Sequence, residues 1–403
     1  MPPESPISPS PLEGIRVVDL SRALSGPLCA MLLGDLGAEV IKVEEPGVGD
    51  DSRHWGPPFQ NGESAYFLSC NRNKRGITLN LKREAAREAL WRLIERADVL
   101  IQNFRPGLME QLGLSYEAAQ ARNLRLVYCS ISAYGQDGPE ARRPGYDIIM
   151  QGTTGATSVT GDPAGSPYRS GLPVCDVLSG MTAMQAILAA LYVRERTGRG
   201  QHVETTLFGA TVAALGNFAS SYLVSGVAPR RVGNSHPQIA PYDLIRTRDG
   251  YINIAGGNDD IFRRVCAALD LPALADDPRF ATNAERVRNR AALLAALEQR
   301  TTQLTTDELM VILDAANAPA GPIRDMQQVL SSPQAQHIGL VRELEHPTTG
   351  VVRVVDTPLH LSETPATLRL APPTLGQHTA EVLAELGYDA ATIAAWRVDG
   401  TAV

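Results

Sequence analysis

The stretch GIRVVDLSRALSGPLCAMLLGDLGAEVIKVE, residues 14–44, decides how the chain is read. An apolar run from Ile15 to Leu20 gives way to a loop. A segment with Leu, Met and Ala on one helical face follows, then a second apolar run from Glu39 to Glu44. Strand, helix and strand in that order make a βαβ unit, whose strands lie parallel in one sheet. The turn RALSGP between strand and helix, Arg22 to Pro27, lacks the GxGxxG spacing. The nicotinamide dinucleotide fingerprint is therefore absent, although the unit itself is of the Rossmann kind.

Outward from this unit the alternation continues. A helical pattern over Glu84 to Ala97, the strand Val99 to Phe104, a helix near Tyr116 and the strand Leu124 to Tyr134 extend a parallel sheet. Gly, Pro and Ser dominate 161–171, and a long apolar helix then runs from about Val177 to Arg196. TGRGQHVETTL, Thr197 to Leu207, reads as helix stop, turn and strand. A second composition begins with strands at Tyr242 to Ile245 and Tyr251 to Ile254, followed by helices rich in Ala, Leu and Arg up to Ala316. The strands VVRVVD and PLHL and a helix over Thr379 to Leu386 close the chain; this stretch is too short to fold alone and must pack back on what precedes it. The expected fold class is α/β, a large Rossmann-like parallel-sheet domain with a smaller α+β domain. The expected boundaries are a disordered tail over 1–11, a large domain over 12–215, a small domain over 225–325, and a returning segment over 330–403.

A chain of 403 residues exceeds what one core usually serves, and 44% apolar with 20% charged residues is ordinary globular usage. A formal charge of -7 gives no general attraction to phosphate backbones or anionic lipid, which argues against nucleic acid and membrane partners. No apolar run is read as membrane-spanning. The five cysteines form no CxxC pair and the seven histidines no HExxH, so neither a disulfide framework nor a metal site is expected. A reducing compartment fits. The Pro- and Ser-rich start lacks the order of a signal peptide, and the expected location is cytoplasmic.

Chemistry gathers at a few places. Asp176, in SGLPVCDVLSGMTAMQ, stands at the mouth of the long apolar helix, where unpaired N–H groups and the positive helix end hold a carboxylate ionised and supply donors to an oxyanion. An Asp at a helix start is also an ordinary N-cap, and position alone leaves both readings open. Gly233, Asn234, Ser235 and His236 in VGNSHPQIAPY form a donor-rich loop, which by itself is a turn. Asn73, Lys74 and Arg75 in NRNKRG, with Arg105 in NFRPG, offer cations suited to a pyrophosphate, as any surface loop can. Lys42 and Glu44 end a strand, where α/β folds place ligand crevices, while Glu44 equally suits a structural ion pair. Tyr146 in RPGYD and Gln151 are within reach of such a crevice; an aromatic beside Gly is also ordinary packing.

In order, the segments GPLCAMLLGDLGAEVIKVE, GDDSR, NRNKRG, NFRPG, SISAYGQDGP, GYD, the GLPVCDVLSG stretch, RTGRG, GNSHP and LGQHT resemble the class III CoA-transferases, from about Leu12 to Leu386. That family includes formyl-CoA transferase, carnitine CoA-transferase and the α-methylacyl-CoA racemases. The resemblance implies that Asp176 attacks an acyl-CoA thioester, giving an aspartyl mixed anhydride and then an aspartyl-CoA thioester, with the loop at Gly233 to Pro237 keeping water out. It implies CoA contacts at Arg22, Ala23, Asn73, Lys74, Asn103, Phe104 and Arg105. The acyl-CoA thioester is then a substrate, and no cofactor is permanently bound. Racemases of the family carry His before the Asp of a GHD motif; here Tyr146 stands there, and a phenol titrating near ~10 is a poor base at neutral pH. Racemase and non-catalytic acyl-CoA binding protein are the competing readings. Leu24 and Glu45 replace a glutamine and an arginine of formyl-CoA transferase, which points away from formate and oxalate. WGPPF, YCSISAYGQDGP and HPTTG resemble the succinyl-CoA:glutarate branch, so a dicarboxylate is the expected acid, with Arg169 in PYRSG as candidate for its distal carboxylate. The family architecture is an interlocked homodimer, with each active site between the large domain of one chain and the small domain of the other.

Overall fold

The computed structural model of the protein describes residues 10–403, so the expected tail over 1–11 lies almost wholly outside the described residues. Two compact units are formed. The first takes the chain up to Ala156, Ser170–Ser220 and Pro333–Val403; the second takes Thr157–Arg169 and Ser221–Ser332. Thr157–Arg169, read from sequence as part of the large domain, thus groups with the second unit, and the C-terminal stretch groups with the first.

The first unit is built on six parallel strands: β1 (Arg16–Asp19), β2 (Glu39–Glu44), β5 (Lys74–Thr78), β6 (Val99–Gln102), β7 (Val127–Ser132) and β8 (His202–Thr206). A short hairpin, β3 (Phe59–Gln60) with β4 (Glu63–Ser64), lies between the second and third of them. Their order is β5-β2-β1-β6-β7-β8, the doubly wound arrangement in which the sheet grows outward in opposite directions from β1 and β6. All of β6 and β7 is buried, as expected of parallel strands covered on both faces. On one face packs α3 (Glu84–Glu95), whose buried Ala86, Ala89, Leu90, Leu93 and Ile94 repeat at helical spacing. The other face is covered by α1 (Ser25–Asp35) and the long helix α7 (Val174–Thr197). Between α3 and α7 lie three short helices, α4 (Leu108–Gln111), α5 (Tyr116–Arg122) and α6 (Asp147–Thr153), and α8 (Leu207–Ala214) follows β8.

Two expectations change here. By length and composition α7 is apolar enough to cross a membrane, contrary to the sequence reading, but Cys175, Ser179, Gly180, Ala183, Ile187 and Ala190 bury one stripe of it in the core of this unit. PLHL is not a strand: Gly350–Val355 (β13) pairs instead with Val341–His346 (β12), whose alternation with charged residues hid it. The last residues then cover the open edge of β5. Asn73 N–H donates to Leu370 O, Gly76 exchanges bonds with His378, Thr78 N–H donates to Thr379 Oγ1, and Asn80 N–H donates to Thr401 O.

The second unit has its own core, Ile245, Ile252, Ile254, Phe262, Leu293, Leu297, Leu309 and Leu313, under a three-stranded antiparallel sheet of β9 (Tyr242–Arg246), β10 (Tyr251–Ala255) and β11 (Ala320–Pro322).

Candidate active site

Strand order reverses between β1 and β6, and the turns leaving these two strands meet. Arg22 N–H donates to Asn103 Oδ1 at 2.9 Å, and Asn103 Nδ2 returns a bond to Arg22 O at 2.8 Å. The Arg22 guanidinium lies 5.6 Å from the Phe104 ring centre, and Phe104 N–H is held by Gln102 Oε1 at 2.8 Å. Four of the expected CoA contacts, Arg22, Ala23, Asn103 and Phe104, are thereby brought to one place. Arg105 follows with an exposed side chain, next to a cavity of about 490 Å³ lined by Pro106, Gly107, Glu110, Gln136, Asp137 and Arg142, among others.

Asp176 reaches the same end of the sheet. The helix starts at Val174, three residues before the sequence reading, so Asp176 sits inside its first turn and Pro173 takes the N-cap position. Asp147, at the start of α6, accepts the Cys175 N–H through Oδ1 at 2.9 Å and Gln151 Nε2 through Oδ2 at 2.7 Å. Gln151 Oε1 in turn accepts Ser170 N–H at 2.7 Å. Gly180 lets α7 touch the start of α1: a Cβ there would lie 2.5 Å from Ser25 O. This approach sets the Ser25 hydroxyl against the Asp176 carboxylate.

The half-buried carboxylate is pushed up to about 7, first by burial and then by the like charge of Asp147, against a smaller opposing pull from the Ser25 hydrogen bond. Asp176 forms no ion pair with Lys or Arg among the described residues. Nearby, the Tyr66 hydroxyl is pushed up to about 12, by burial and then by the charge of Asp176, and its ring meets Trp55 edge-on at 4.9 Å. No group of His, Cys, Asp and Glu suited to a metal ion occurs among the described residues.

The NRNKRG cations are placed differently. Lys74 is 0% exposed, and its ammonium is spent on Asp19 at 2.9 Å, Asn71 Oδ1 at 2.8 Å and Pro27 O at 2.9 Å. Asn73 is also buried, its amide bonded to Asp35, Thr367 O and the Arg369 and Leu370 N–H groups. Arg75 pairs with Glu39, Glu381 and Glu385. Asn73 and Arg75 tie the sheet edge to the returning C-terminal segment, and Lys74 ties it to β1 and the start of α1, so these three side chains are engaged in contacts within the protein. Lys42 pairs with Asp50, and Glu44 pairs with Arg53, so the structural reading of Glu44 is the one seen.

Tyr146 is 66% exposed and makes no side-chain capping bond. The residue of GYD that meets the start of α7 is the next one, Asp147, which is not among the residues singled out from sequence; its signal is an acid at a helix start one helix ahead of Asp176. Arg169 is exposed and belongs to the second unit, as does the loop from Gly233 to His236. That loop is shaped by Gly233 in the left-handed region at φ 64°, and by Arg290, which pairs with Asp243 and donates to His236 O at 2.6 Å. His236 stacks edge-on against Tyr242 and accepts Gln238 N–H through Nδ1.

The doubly wound sheet agrees with comparison to known proteins. The model of CoA-transferase family III matches residues 12–379, and the chain belongs to that family. Succinyl-CoA:glutarate CoA-transferase of Homo sapiens is 41% identical over 380 residues, covering 94% of this chain and 87% of that protein. Succinate–glutarate CoA-transferase of Agrobacterium fabrum is 42% identical over 382 residues, covering 93% and 96%. The crystal structure of a CAIB/BAIF family protein from Brucella suis superposes with a TM-score of 0.85 at 43% identity, covering 94% of this chain and 100% of that one.

Proposed function

We propose that the protein moves CoA from succinyl-CoA to a short dicarboxylate of the glutarate type, with Asp176 as nucleophile. The substrates are taken from the names of its relatives. The nucleophile rests on one observation: a half-buried carboxylate, faced by another carboxylate and opposed by no cation, is held near 7 rather than in the usual carboxylate range. An arginine beside it would stabilise the anion and blunt its attack; here the anion is raised in energy, as a nucleophile must be.

Asp176 Oδ attacks the thioester carbonyl, the C–S bond breaks, and CoA leaves as thiolate. The product is a succinyl–aspartyl anhydride. The thiolate then adds to the aspartyl carbonyl, succinate departs, and an aspartyl-CoA thioester remains. An incoming dicarboxylate runs the same steps in reverse and leaves as its CoA thioester, with Asp176 regenerated. Each intermediate is an activated acyl group, so no outside energy source enters. We read Arg22 and Arg105 as the cations for the CoA phosphates; the meeting of Arg22 with Phe104, and the cavity of about 490 Å³ that begins at Pro106, support that reading.

We further infer a homodimer and a reducing, cytoplasmic setting. The first is supported by large apolar side chains exposed on the first unit, Ile148 and Ile149 of α6 and Met181, Tyr192 and Val193 of α7; the second by five buried free cysteines. The decisive experiment mixes enzyme, succinyl-CoA and 18O-glutarate and follows glutaryl-CoA and the label by mass. Glutaryl-CoA with 18O left on Asp176 supports the proposal. Exchange of an α-proton in deuterated water without any transfer would replace it with racemase chemistry.

A further inference from the structure

The turn that carries the expected CoA contacts has an oddity. Ala23 stands at φ 66°, in the left-handed region that residues other than Gly seldom enter, and RALSGP offers no glycine at that place. Such a conformation persists only where its surroundings over-determine it. Here the restraint is visible. Asp50 accepts the Ala23 N–H through Oδ1 at 3.0 Å, and the same oxygen takes the Ser52 N–H and hydroxyl at 2.9 and 2.7 Å. Through Oδ2 it pairs with Lys42 at 2.8 Å, and Lys42 also donates to Ser21 O at 2.9 Å. One ion pair therefore grips both flanks of Arg22, from Ser21 O to Ala23 N, while Asn103 holds the Arg22 backbone itself.

Asp50 in turn is fixed, since its own N–H donates to Glu44 Oε2 at 2.9 Å and Glu44 is clamped by Arg53. Lys42 is 0% and Asp50 1% exposed. Burying an ion pair this deeply seldom gains stability over apolar residues of the same volume, so its retention calls for a geometric reason. Burial would raise Asp50, but the Lys42 ammonium and the Ser52 bonds outweigh it and hold the carboxyl at about 2, so it is ionised at every working pH.

We propose that Asp50, seated on Lys42, is a positioning residue for acyl-CoA: it holds Ala23 left-handed so that the turn between β1 and α1 is shaped for the ligand before the ligand arrives. Preorganisation of this kind lowers the cost of binding and leaves the chemical step alone. The same turn runs directly into Ser25, which meets Asp176. The proposal rests on assigning this turn to acyl-CoA binding, and the test separates the two.

Free CoA is titrated calorimetrically into wild type, the paired deletion Lys42→Met/Asp50→Ala, and that variant with Ala23→Gly added, with KM and kcat measured in parallel. The paired deletion removes both charges and leaves neither buried alone. It is expected to weaken CoA binding and raise the succinyl-CoA KM by about ten-fold or more while kcat changes less than about three-fold; Ala23→Gly, which adopts positive φ without strain, should recover most of the loss. Wild-type CoA affinity in a folded paired deletion, or no recovery on adding Gly, overturns the proposal. Should the paired deletion not fold, Ala23→Val in the otherwise intact protein is expected to give the same KM-selective loss, and an unchanged KM there is equally fatal. A wild-type protein that binds no CoA removes the parent assignment, and this one with it.

Discussion

The acidity of Asp176 is set by burial, by the like charge of Asp147 and by the lack of a cation partner among the described residues. With its carboxyl near 7, the first half-reaction at saturating succinyl-CoA should speed up as pH rises through about 7, followed by stopped-flow release of CoA thiol. Asp147→Asn keeps the acceptor for Cys175 N–H but removes the like charge, and should move that inflection downward; an unmoved inflection would show that Asp147 does not tune the nucleophile. Asp176→Asn should lower turnover by on the order of 10⁴ without unfolding the protein. It should also change stability with a definite sign. The folded value lies above the ordinary 3.8, so the contribution of Asp176 is most favourable below pH 3.8 and is lost as pH rises through about 7. The melting temperature of Asp176→Asn relative to wild type should therefore climb between pH 4 and pH 8. That Asp176 opens the long helix was legible, because the apolar run begins beside it. The burial of Asn73 and Lys74 was not, because a sequence does not say whether an ammonium faces solvent or three buried acceptors.

At the scale of elements, the contact of α7 with α1 carries the site. Gly180 is where the two approach, and a methyl group 2.5 Å from Ser25 O forces the helices apart. Gly180→Ala is expected to cost about 1–3 kcal/mol in chemical denaturation and to separate Ser25 from Asp176, so activity should fall further than stability alone explains. Full activity in that variant would disconnect Ser25 from the nucleophile. The βαβ unit of residues 14–44 could be read directly, since its two apolar runs are buried on both faces and flank a helix that is itself almost wholly buried. The edge strand β5 could not: KRGIT starts with two cations whose partners, Asp19 for Lys74 and Glu39, Glu381 and Glu385 for Arg75, come from distant parts of the chain. Similarly, β12 reads VRELEH, half charged, and only its pairing with β13 reveals it.

For the molecule as a whole, the exposed Met181, Tyr192 and Val193 of α7 predict self-association. Light scattering on a dilute sample should give twice the mass of 43.3 kDa, and a monomer would count against the dimer. No single-chain pattern announces such a face, since apolar residues on α7 read the same whether they meet a core or a second copy. The covering of β5 has a different kind of consequence, one of timing. Gly76 and His378, which exchange backbone-edge bonds, are 302 residues apart in the chain. During vectorial synthesis at ~5–20 residues per second, the β5 edge leaves the ribosome roughly 15–60 s before the segment that seals it. For that interval the nascent sheet carries an open border, and a ribosome-bound chaperone able to shield a strand edge would have its greatest effect on yield there.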